Sequence, residues 1–217
     1  MPQLEVTQSY DDYVMSVSLL TRYGSDIAAN VIHDEWARIS ENLETDTLLP
    51  ILFSFSYYCQ VKDHATTNLA FVMSALDAIE ERIKTSTPDA NDELARVANN
   101  RGSIMIGVHR ESAPSDRSLL LQAVDHTKRA AELDPAQGSY LYNLALMYHE
   151  AAMPTEANDS ITRLLVMDQE SGEEHGDHLE AACQIYYKAS DNDFRAAFAR
   201  LQSVNPYAAT MISRKLK

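Results

Sequence analysis

Tyr140-Leu141-Tyr142-Asn143-Leu144-Ala145-Leu146-Met147-Tyr148 reads as one amphipathic helix, because Leu141, Leu144, Ala145 and Tyr148 fall at the i, i+3, i+4 and i+7 positions of a single face. The same face recurs 38 positions later as Leu179, Ala182, Cys183 and Tyr186. Between the two lies the copy of an earlier helix: Ala123, Thr127, Ala130 and Pro135 stand 34 positions before Ala157, Ile161, Leu164 and Gln169. Two interleaved sets at constant offsets predict a helix pair used repeatedly. The four extra residues of the longer interval fit in the polar stretch 168–177.

The residue types have a packing reason. Antiparallel helices approach closely only where small side chains sit at the crossing, here Gly107, Ala145, Ala157, Ala182 or Cys183, with Leu144, Tyr148 and Ile161 filling the space beside them. A helix pair cannot cover its own apolar faces, so neighbouring pairs must stack.

These residues carry a resemblance. The 140–148 segment is similar to the first helix of the tetratricopeptide repeat family, and Ala-Ala-Glu-Leu-Asp-Pro at 130–135 to its repeat ending. The resemblance spans about residues 100–206, with an earlier, degenerate unit at Ser103, Ile106, Gly107 and Arg110. Gln169 departs from it where the family usually has Pro, and Thr127 where it has a large apolar residue. What it implies is an all-α fold of antiparallel helix pairs stacked as a right-handed α-solenoid, whose first helices line a concave groove for a peptide or a partner's helix. Groove-facing positions would be Arg101, Ile104 and Val108, then Ser139, Tyr142, Asn143, Leu146 and His149, then Asp177, Glu180, Gln184, Tyr187 and Lys188. Tyr142, His149 and Tyr187 are the expected aromatic anchors. One subgroup of the family grips a terminal carboxylate with Lys, Arg and Asn; Asn143 matches, but Asp177 and Glu180 oppose such a clamp.

Helical periodicity extends over most of the chain. Tyr10, Tyr13, Val14, Val17 and Leu20 make one stripe, Ile32, Trp36, Ile39 and Leu43 the next, and Leu69, Val72, Met73, Leu76, Ile79 and Ile83 another. Leu48 to Val61 is too apolar to show a period and predicts a buried helix entered near Pro50. Turn and cap residues at 85–91 mark a boundary, with 1–90 an acidic helical region, either diverged repeats or a separate cap, and 91–217 the repeats with a C-terminal capping helix. Further helices are expected over about 92–111, 117–133, 138–152, 155–168, 177–189 and 191–204, and a last one capped by Asn205 with Pro206 in its first turn. With only six Gly and seven Pro, a many-stranded sheet has little turn material.

Charge and cysteine usage narrow the function. The formal charge is −14, and residues 1–50 hold nine acidic and two basic side chains, a surface that repels nucleic acid. Cys59 and Cys183 make no CxxC and no paired framework, which favours a reducing cytoplasm, and both read as buried apolar residues rather than nucleophiles. No basic leader and no membrane-length apolar run is found, so neither a signal peptide nor a membrane anchor is expected.

Chemistry-bearing motifs are sparse. Glu173-Glu174-His175-Gly176-Asp177-His178 is the densest set of metal-ligand types, yet it reads as a solvated loop before a helix start. His33-Asp34-Glu35 and His149-Glu150 place neighbours on different sides of a helix. P-loop, dinucleotide and nucleophile-elbow patterns do not occur. The expectation is therefore a non-enzymatic adaptor, chaperone-like or regulatory protein without metal or cofactor. It would bind a protein or peptide through Arg101, Tyr142, Asn143, Leu146, His149, Gln184, Tyr187 and Lys188. Self-association stays open. The alternatives are an acidic decoy or inhibitor offering Asp11, Asp12, Asp34 and Glu35 to a basic protein, and a helical metal-binding enzyme using His175 and His178.

Overall fold

The structure, a computed structural model, describes residues 12, 14–19, 21, 26–44, 47–52, 54, 65–86, 90–112, 114–187 and 189–215, with backbone alone for 65–68 and 112. Every regular element among them is helical: short stretches at 14–19 and 47–52, then ten longer elements. These are α1 (Asp26–Asp34), α2 (Trp36–Asn42), α3 (Ala65–Ser86), α4 (Asn91–Ser112), α5 (Arg117–Leu133), α6 (Gly138–Glu150), α7 (Pro154–Ser171), α8 (Gly176–Tyr186), α9 (Asp191–Val204) and α10 (Pro206–Lys215). They group into two compact units, residues 1–123 and 124–217, and the division falls inside α5.

The first unit buries much of the expected stripes, of which Tyr10, Tyr13 and Leu20 lie outside the described residues. Val14, Val17, Ile32, Ile39, Leu48, Ile51, Leu52, Leu76, Ile79 and Ile83 share one core. The Ile32-Trp36-Ile39-Leu43 stripe is divided between α1 and α2 by a turn at Glu35, whose amide still bonds the Val31 carbonyl while its own carbonyl accepts from Ile39. A near-continuous ladder keeps Ile32 and Ile39 on one side across the break. The α2 carboxyl end is closed by Arg82, whose Nη1 donates to the carbonyls of Ser40 at 3.0 Å and Leu43 at 2.9 Å. Of the apolar 48–61 segment, residues 48, 49, 51 and 52 are buried in helix; its end, with Cys59, lies outside the described residues. Across the 85–91 stretch, α3 and α4 pack on each other.

In the second unit α6 packs on α7, α8 on both α7 and α6, α9 on α8, and α10 on both α9 and α8. That is the contact pattern of stacked pairs. Most repeat positions are buried, with Ala130, Ala145, Ala157, Ile161, Leu164, Ala182 and Cys183 all at 0% exposure, while Pro135 and Gln169 are exposed. Thr127, buried where the family has a large apolar residue, donates its hydroxyl to Met147 Sδ at 3.3 Å. The other departure changes a helix length: α5 stops at Leu133 ahead of Pro135, whereas Gln169 keeps its amide and α7 continues to Ser171. There it ends on Gly172 at φ +75°, with Gly172 N–H donating to Gln169 O and Glu173 N–H to Asp168 O. The last helix starts as expected, with Asn205 Oδ1 accepting from Ala208 N–H at 3.1 Å.

Candidate functional site

On α6 and α8 of the second unit the face opposite the buried repeat positions is partly uncovered. On α6, Ser139 and His149 are exposed and Tyr142, Asn143 and Leu146 half-buried; on α8, Asp177 is exposed and His178, Glu180 and Gln184 half-buried. Both sets keep helical spacing, so each is a stripe. Tyr142 joins them, since its ring lies 5.2 Å from that of His178. Burial, then the charges of Asp177 and Glu180, raises the Tyr142 phenol above its usual pKa, so the acidic pair borders this aromatic contact. Gln184 Nε2 reaches Glu180 Oε1 at 3.5 Å, and the Tyr187 ring meets Phe194 of α9 edge-on at 5.9 Å.

The remaining expected positions are elsewhere. Arg101 is buried within the first unit, donating to Glu80 and to Asp77, the latter at 2.5 Å. Ile104 and Val108, expected along a groove, are core residues at 2% and 3% exposure, because α4 turns that face inward. Lys188 lies outside the described residues.

The 173–178 stretch is the expected solvated loop and helix start as far as Asp177, and departs from that reading at His178. Glu173, Glu174 and His175 are exposed, but His178 folds back onto α7, where its Nδ1 stands 2.9 and 3.2 Å from the two oxygens of Asp168. Both side chains are largely buried, at 14% and 8% exposure. The His175 ring lies 4.8 Å from that of His178, and its Nε2 3.5 Å from Glu173 Oε2. Asp168, His175 and His178 thus offer three ligand atoms within 4.8 Å of one another. Sequence reading placed the two histidines together but not Asp168. The signal available for it was the 34-residue offset, which aligns Asp168 with Asp134 of the repeat ending.

Cys183 is buried, and burial, with Glu180 nearby, pushes its thiol up to about 11. Pockets of about 440 Å³ and 180 Å³ open elsewhere, the first between α9 and α10 by Phe198 and Arg214, the second beside Tyr186 and Arg200. Among the described residues no helix is long and apolar enough to cross a membrane.

No family model and no curated protein matches the chain. A solved structure does: a thermophilic tetratricopeptide-repeat protein of Thermus thermophilus aligns over 97% of this chain and 98% of its own, with a TM-score of 0.54 and 16% identity. At that identity the likeness establishes the fold, an all-α helical repeat of tetratricopeptide type.

Proposed function

We propose that the protein is an interaction module that docks a peptide or helix of a protein partner on the α6–α8 face of its second unit. The observation that carries this is the pair of half-covered stripes joined at Tyr142 and His178. Tyr142, Leu146 and Tyr187 supply apolar area with little rotamer freedom to lose, and Asn143, His149 and Gln184 supply polar groups around it. Asp177 and Glu180 favour a segment that brings a basic side chain to the Tyr142 edge. Arg101, turned inward onto Asp77 and Glu80, is left out of this face.

Binding would be non-covalent, and the residues have no catalytic role in it. A native-lysate pull-down with the intact protein, beside a Tyr142→Ala, His149→Ala, Tyr187→Ala variant of unchanged melting temperature, tests the reading. A partner retained by the parent and lost by the variant supports it. A partner held equally by both places the site off this face.

A further inference from the structure

We propose that Asp168, His175 and His178 form a binding site for one divalent transition-metal cation of the zinc class. Three features of the chain converge on it. Gln169 in place of Pro carries α7 to Ser171, and the Gly172 turn then sends the chain back over the end of that helix. The four residues by which the second interval exceeds the first lie within the same stretch, which places His175 immediately before α8 and His178 in its first turn. Asp168 is the carboxylate His178 contacts, and it offers an oxygen within 4.8 Å of a His175 ring nitrogen.

The spacing suits a cation. Ligand atoms about 2.0–2.2 Å from zinc in tetrahedral geometry lie about 3.3–3.6 Å from each other. His178 Nδ1 and the Asp168 oxygens already stand at 2.9 and 3.2 Å, so a cation takes the place of the proton between them. His175 must swing inward from within 4.8 Å, and at 45% side-chain exposure it has the freedom to do so. Two imidazoles and a carboxylate are a donor set for zinc, cobalt or nickel rather than for calcium or magnesium, which take oxygen ligands. The fourth position is open to water, or to Glu173 beside His175.

The electrostatics agree in sign. The amino end of α8 opposes a cation with about half an elementary charge. Asp168 at the site, with Glu173 and Asp177 flanking it, outweighs that by full charges. A largely buried carboxylate is also costly to desolvate, and a metal charge offsets that cost.

The test is calorimetric titration of the chelator-treated intact protein with Zn²⁺ alone, with His175→Ala, Asp168→Asn and His33→Ala compared. The expected result is one Zn²⁺ per chain, weakened at least about tenfold by His175→Ala and by Asp168→Asn and unchanged by His33→Ala. His175→Ala decides, because that side chain is exposed and its loss leaves the fold intact; it should also abolish the visible bands of bound Co²⁺. The absence of one-to-one binding overturns the site. So does retention of Zn²⁺ and of the Co²⁺ bands by His175→Ala, or an equal loss in His33→Ala.

Discussion

Arg101 of α4 and Glu80 of α3 form an ion pair whose side chains are only 7% and 8% exposed. The pair ties the two longest helices of the first unit together, and it draws inward an arginine that the repeat register had placed on a binding surface. Two buried charges are costly to desolvate and costly to separate. Arg101→Ala should therefore lower unfolding stability by about 3 kcal/mol, read by urea denaturation. Lys84, 3.0 Å from Glu80, keeps the loss from being larger. Arg101→Met combined with Glu80→Leu should recover most of it, since no charge is then left in the core.

Ala145 is fully buried between the helices of its repeat. Ala145→Leu adds three carbons where α6 meets its neighbours and should cost about 1–3 kcal/mol by overpacking. A thermal melt checks it, and an unchanged melting temperature would contradict the register.

Ala152 adopts a left-handed conformation at φ +56°. It ends α6 as Gly172 ends α7, with Ala152 N–H donating to His149 O and Met153 N–H to Tyr148 O. Alanine is strained there and glycine is not, so Ala152→Gly should stabilise by about 0.5–1 kcal/mol. Gly172→Ala should destabilise by a similar amount. Paired denaturation curves test both signs.

The Cys183 thiol, raised from 9.0 to about 11, is held protonated by the native state. Its contribution is complete below the unfolded pKa and is lost as pH rises through the folded one. Stability should thus fall between about pH 9 and pH 11, and the raised phenols of Tyr142, Tyr148 and Tyr186 act in the same direction. Alkylation followed by peptide mass analysis should find Cys183 unmodified at pH 8 until denaturant is added.

The half-covered stripes of α6 and α8 were legible one helix at a time. Tyr142, Asn143 and Leu146 follow from the period of α6, because residues opposite a buried face must be those least covered. The same reasoning misplaced Ile104 and Val108: in the degenerate first copy the register rested on Ile106 and Gly107 alone, and α4 has apolar residues on more than one side. Asp168 was missed for another reason. Its value depends on His178 of α8 folding back onto α7, a contact between helices that no spacing along the chain announces.

The amino-acid sequence by itself determined the helices, their order and the stacking of the second unit, because periodicity, small crossing residues and caps are local properties that burial then reinforces. Pro135 and Gln169 even carried the difference in length between α5 and α7. The tertiary structure alone decided which charged and polar groups meet. Arg101 with Glu80 and Asp168 with His178 are juxtapositions across helices, fixed by how backbones cross rather than by any spacing along the chain.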